Sequence, residues 1–178
     1  MNNIGIMHAQ GVGVVQDYRA AAKWYRQAAE KGLAEAQTNL GYLHMNGLGV
    51  PQDYEAARKL TRAAAGKGIA EAQYNLGLMH ENGIGGQQNY GEAAEWYAKA
   101  ADQSHGAAQF GLGRIHGNGY GVPQDLARAY LWFDLAAKSG IGEAAIARDT
   151  VTRMMTPADR TRARRLQREY RAKPTKAK

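Results

Sequence analysis

Residues 39–68 read NLGYLHMNGLGVPQDYEAARKLTRAAAGKG, and a shift of 36 residues returns nearly the same stretch. Leu40-Gly41 becomes Leu76-Gly77, then Leu112-Gly113, and backwards Ile4-Gly5. Gly47 aligns with Gly11, Gly83 and Gly119; Asp53 with Asp17, Asn89 and Asp125; Ala64-Ala65 with Ala28-Ala29, Ala100-Ala101 and Ala136-Ala137. The register holds without insertion from Asn3 to Ala147. A fixed period of this size marks stacked supersecondary units, so it decides the fold class before any propensity is counted.

Within one unit, Ala36, Leu40 and Leu43 recur at helical spacing ahead of Gly47, which predicts a helix over 34–46. Glycine at 47 can take the left-handed conformation that closes it. Gly41 lies on the apolar stripe, where a helical glycine costs roughly 1 kcal/mol against alanine. Close packing of the partner helix on its bare backbone is the expected compensation. After the loop 48–52, Asp53 has the type and position of an N-cap for a second helix over about 54–67, with Ala57, Leu60, Ala64 and Ala65 facing inward. Asn89 with Glu92 is the one copy carrying a full capping-box pattern. Where this repeat has Leu60, the others have Trp24, Trp96 and Trp132, bulky enough to wedge between successive pairs.

The pattern A-x-A-Q-x-x-L-G-x-x-x-x-x-G-x-G-V-P-Q-D-Y-x-x-A-x-x-W-Y-x-x-A-A-x-x-G resembles the Sel1-like repeat, a relative of the tetratricopeptide repeat. The resemblance covers 1 to about 140: a partial copy over 1–32 and full copies at 34–68, 70–104 and 106–140. It implies an all-α, right-handed α-solenoid of antiparallel helix pairs. It also implies a non-enzymatic adaptor for protein partners, often in bacterial signalling, envelope or virulence settings. A cysteine-rich subgroup of the family has been linked to β-lactams, but this chain has no cysteine, so that property is not carried over.

The absence of cysteine also removes any disulfide framework, thiolate metal site or thiol nucleophile. No apolar run approaches the length of a membrane span. Net charge is +7, and all of it belongs to the end of the chain: residues 148–178 carry 11 Lys/Arg against 3 Asp/Glu. There the repeat is expected to break. Thr156, Pro157 and Asp159 form a strong helix start, opening a basic capping helix within 148–172, and 173–178 is expected to be disordered. Met1 falls inside an opening helix, so the native protein is expected to start further upstream. The compartment follows from that: cytoplasmic if Met1 is the start, periplasmic or secreted if a signal peptide precedes it. A monomer is the favoured state.

Five constellations bear on function. His8, His44, His80 and His116 share one repeat position. Equivalent helices lie about 10 Å apart and zinc needs nitrogens about 2.0–2.1 Å away, so packing or hydrogen bonding is favoured over pH sensing or a metal. The Gly-x-Gly loops lack the strand and Lys-Ser/Thr of a phosphate loop and read as turns. Ser104, His105 and Ser139 depart from the repeat but sit at inter-repeat turns without a catalytic motif, so neither catalysis nor a cofactor is expected.

Geometry transferred from tetratricopeptide arrays puts Glu35, Thr38, Tyr42, Met45 and Asn46 on a concave face, followed by Glu71, Tyr74, Leu78, Glu81 and Asn82, then Phe110, Arg114 and Asn118. The asparagines are also natural helix-end caps. Arg160, Arg162, Arg164, Arg165, Arg168 and Arg171 make the terminal helix an alternative surface for nucleic acid or another anionic partner, against the plainer reading of a solvated face.

Overall fold

The computed structural model describes residues 1–172, and the expected tail at 173–178 lies outside the described residues. Among the described residues the secondary structure is ten α-helices and no strand. The helices are α1 Asn2–Gln10, α2 Tyr18–Glu30, α3 Ala34–Asn46, α4 Tyr54–Gly66, α5 Ala70–Asn82, α6 Tyr90–Ala101, α7 Gly106–Asn118, α8 Leu126–Lys138, α9 Gly142–Met154 and α10 Pro157–Ala172. They gather into two units, residues 1–100 and the residues from Ala101 onward.

In the first unit each hairpin is tied by the same bonds. Gly47 closes α3 at φ 66° and donates its N–H to Leu43 O. Asp53 N–H donates to His44 O at 2.9 Å, and the Asp53 carboxylate accepts from Ala56 N at 2.9 Å. Gln52 Nε2 reaches back to Met45 O at 2.9 Å. Gln16 and Gln88 repeat that clasp on Ala9 O and Glu81 O. These bonds tie each loop to its own hairpin, while Arg58 of the preceding second helix donates to Gly85 O at 2.9 Å.

Asn89 departs from its expected capping box. It accepts from Glu92 N at 3.1 Å, but its own N–H is already spent on His80 O at 2.8 Å. The Glu92 carboxylate instead lies 3.3 Å from His80 Nε2.

The glycine stripe has the compensation its cost requires. A Cβ on Gly5 would lie 2.5 Å from the Tyr25 ring, and one on Gly77 would lie 2.5 Å from the Tyr97 ring. Gly41 faces the smaller Thr61, with Oγ1 2.9 Å from a Cβ position. The ring of the second helix thus rests on the backbone of the first. Truncating such a ring would cost on the order of 3–5 kcal/mol.

Between repeats, the loop of one pair docks on the second helix of the pair before it. A Cβ on Gly49 would lie 2.3 Å from the Tyr18 carbonyl carbon, and one on Gly85 2.5 Å from Tyr54 O. Trp96 packs against a buried cluster of Ala34, Ala64, Ala65, Ala72 and Leu76, the wedge that the sequence suggests. Leu60 is partly buried against the first cluster, which draws its residues from α2 and α3. Asn39 Nδ2 donates to Asn2 Oδ1 at 3.2 Å, so α1 and α3 run side by side.

The second unit repeats the scheme: Gly113 lies under the Phe133 ring, Gln124 Nε2 clasps Gly117 O, and Asp125 caps α8. It then diverges. α9 continues the 36-residue register as a further first helix and runs unbroken through the boundary expected at 147/148. Met155 stands where the closing glycine would fall; it is extended (φ −73°) and 6% exposed, and the chain re-enters a helix after Thr156. A long loop has become a two-residue connection.

Thr156 and Asp159 form a reciprocal cap, with Thr156 N donating to Asp159 Oδ2 at 2.9 Å and Asp159 N to Thr156 Oγ1 at 3.2 Å. Those bonds to Thr156 hold the Asp159 carboxyl below the usual carboxylate range. Buried Asp134 of α8 binds Lys138, Arg148 of α9 and Gln167 of α10, joining three helices at one carboxylate. Arg162 Nη2 to Asp125 Oδ2 at 2.7 Å, and Tyr170 Oη to Ala101 O at 3.1 Å, fasten α10 further.

Candidate protein-binding surfaces

The first helices α3, α5 and α7 are buried on most of their circumference, because the stacking stripe and the glycine stripe both face protein. In α3 the exposed residues Glu35, Tyr42 and Asn46 fall at i, i+7 and i+11, one narrow face, and Tyr42 is 51% exposed. Met45 is half-buried beside it. In α5 the same positions hold exposed Glu71 and Asn82 and half-buried Leu78, with Tyr74 half-buried and its ring centroid 5.7 Å from that of Tyr97.

Two of the expected face residues point inward. Thr38 is 8% exposed and spends its hydroxyl on Ala34 O at 3.0 Å, a bond internal to its own helix. Glu81 is 6% exposed and accepts from Tyr97 Oη at 2.5 Å. The asparagines hold their own helix ends: Asn46 Nδ2 donates to Tyr42 O and Asn82 Nδ2 to Leu78 O, each at 2.9 Å. In the second unit Arg114 and Asn118 are exposed, while Phe110 leans on Phe133 with centroids 5.5 Å apart.

The histidine ladder is embedded in the hairpins. Each backbone carbonyl accepts from the N-cap nine residues on: His8 from Asp17, His44 from Asp53, His80 from Asn89 and His116 from Asp125. The rings differ. His80 is 2% exposed, with Arg58 Nη2 3.4 Å from Nδ1. Burial, then Arg58, pushes its pKa down, against the opposing pull of Glu92. His116 is lowered by burial and then by Arg128. Among the described residues no three His, Asp or Glu side chains come together as a metal would need.

The turn residues that break the repeat have local duties. Ser104 takes φ 64° where its counterparts are Gly32, Gly68 and Gly140. His105 caps α7, its Nδ1 accepting from Ala108 N at 3.3 Å. Ser139 Oγ donates to Gln109 Oε1 at 3.1 Å.

The six terminal arginines are not equivalent. Arg162 pairs with Asp125, and Arg165 lies 3.6 Å from Glu169. Arg160 reaches the Thr152 carbonyl. Arg164, Arg168 and Arg171 are exposed and have no carboxylate partner among the described residues.

Repeated helix hairpins, each first helix packed on its partner through a bare glycine or a small gap, define a helical-repeat fold. The Sel1 repeat family model matches residues 1–33, 34–69, 70–105 and 106–141, and the chain belongs to that family. The family is a non-catalytic repeat scaffold that generally mediates protein–protein interaction. A Sel1 repeat protein from Oxalobacter formigenes is a structural neighbour at 37% identity and a TM-score of 0.76, the alignment covering 83% of this chain and 60% of that one. Another is c5321, a protective antigen present in uropathogenic Escherichia coli strains displaying an SLR fold, at 27% identity and a TM-score of 0.63, covering 95% of this chain and 44% of that one. The chain therefore spans less than two thirds of either neighbour's length. No curated protein matches it.

Proposed function

We propose that the chain is a non-enzymatic adaptor that binds an extended segment of another protein along the exposed faces of α3 and α5. The observation that carries this reading is Tyr42. It is a large aromatic, 51% exposed, on a helix that otherwise buries its apolar side chains. Glu35 and Asn46 flank it and Met45 lies one turn on; Tyr74 and Leu78 occupy the matching positions of α5. An aromatic anchor with a polar rim is the usual make-up of an interface hot spot. The hairpin clasps keep these helices rigid, so little conformational freedom is lost on binding. Among the described residues no helix is long and apolar enough to cross a membrane.

The test is a photo-crosslinking amino acid placed at position 42 or 78 in the source cells, with position 59 on the exposed side of α4 as control. Crosslinks from 42 and 78 to the same protein, with about tenfold weaker affinity for Tyr42→Ala, are the expected result. Equal crosslinking from position 59, or full affinity in Tyr42→Ala, would overturn it.

A further inference from the structure

We infer that α10 carries a second docking surface, separate from the α3–α5 face, for an acidic peptide segment with one apolar side chain. Arg160, Arg164, Arg168 and Arg171 follow one another at four, four and three residues, which lines them along one face of the helix. No Asp or Glu falls on that face; Glu169 is on the far side with Arg165, and Asp159 is held by Thr156. Arg162 to Asp125, Gln167 to Asp134 and Tyr170 to Ala101 fasten the helix, and of the stripe Arg160 alone joins them, through the Thr152 carbonyl. Arg164, Arg168 and Arg171 are therefore not needed to hold α10 in place.

At the foot of the stripe lies a pocket of about 210 Å³, lined by Tyr130, Thr152, Met155, Arg160, Ala163 and Arg164. Met155 and Ala163, 6% and 2% exposed, supply the apolar part of its lining, and two of the stripe's arginines line it as well. Cations spaced by one helical turn, about 6 Å, face carboxylates that recur on one side of an extended peptide about every 6.5–7 Å. A leucine-sized side chain among those carboxylates would fill the pocket. Arginine pairs carboxylates in bidentate fashion, which adds geometry to charge.

A peptide suits this surface better than nucleic acid does. Stacking of successive bases needs a series of exposed rings beside the cations; here Tyr170 is turned inward, edge-on to Trp132 with centroids 5.5 Å apart, and the one ring at the pocket, Tyr130, is half-buried.

The experiment is fluorescence anisotropy on the full chain with a labelled peptide alternating glutamate and serine around one leucine. The same peptide with glycine for leucine, a single-stranded oligonucleotide and phosphatidylserine vesicles serve as comparisons. Saturable binding of the leucine peptide is expected, weaker by about fivefold or more without leucine and by about tenfold or more in Arg164→Ser/Arg168→Ser. Arg19→Ser/Arg165→Ser, which removes the same charge elsewhere, should change it less than about twofold. The inference is overturned by absence of saturable binding, by equal loss in the two double variants, by indifference to the leucine, or by tighter binding of oligonucleotide or vesicles that falls steeply with salt.

Discussion

Tyr97 Oη donates to Glu81 Oε2 at 2.5 Å, joining a ring that is 1% exposed to a carboxylate that is 6% exposed. The equivalent pairs are Tyr25 with Ala9, Thr61 with Met45 and Phe133 with Gly117, so ring hydroxyl and carboxylate meet only in this repeat. Tyr97→Phe keeps the ring over Gly77 and removes the donor. A buried charged acceptor that loses a hydrogen bond costs about 1.5–3 kcal/mol. We expect a denaturant midpoint lowered by that amount with an unchanged m-value; a midpoint within error of wild type would mean that other donors to Glu81 suffice.

Gly49 and Gly13 share a left-handed turn, at φ 68° and 72°, but differ in surroundings. A Cβ on Gly49 strikes the Tyr18 carbonyl carbon, whereas one on Gly13 finds its nearest neighbour, Met7 Cε, at 4.0 Å. Gly13→Ala should therefore cost only the left-handed strain, about 1–2 kcal/mol. Gly49→Ala should cost that plus a displaced repeat junction, another 1–3 kcal/mol or so. Urea unfolding of both variants checks the difference.

The helical glycines should give opposite signs. At Gly66 an added Cβ meets nothing within 4 Å, so Gly66→Ala should stabilise by up to about 1 kcal/mol. At Gly77 it meets the Tyr97 ring at 2.5 Å, so Gly77→Ala should destabilise despite the better helix propensity. Paired thermal melts decide it.

His80 and His116 both have pKa values below the ordinary imidazole value because burial disfavours the cation. The unfolded chain then binds protons that the folded chain refuses. Their contribution to stability is complete above about pH 6.5 and is lost as pH falls below it toward the lowered folded-state values. Thermal melts from pH 8 to 5 should show this decline. Replacing His80 by glutamine should reduce its slope.

Much of this architecture is legible in one sequence because it rests on local chemistry. Asp53 announces a helix start, Gly47 a helix end, and Gly41 a close approach, each by residue type at a fixed offset. The candidate face is legible only in part. Geometry transferred from tetratricopeptide arrays puts Thr38 and Glu81 on the face by position alone; nothing in the linear sequence shows that a tyrosine sixteen residues on will reach Glu81. The glutamine clasps are hidden for the same reason, since each joins residues seven apart across a loop. The continuation of α9 to Met154 is masked because Met155 replaces the glycine that elsewhere closes a first helix.

The loop around Gly13 has a further consequence. Its clasp, its cap and its left-handed glycine are all formed although, among the described residues, no second helix stands against it, and Ile4 and Met7 are 38% and 41% exposed where Leu40 and Leu43 are 4% and 2%. Each hairpin is thus a finished joint before anything is plugged into it. The array can gain or lose whole units of 36 residues at such a joint without rewriting the units that remain, whereas an insertion inside a hairpin loop would have to break its clasp or its cap.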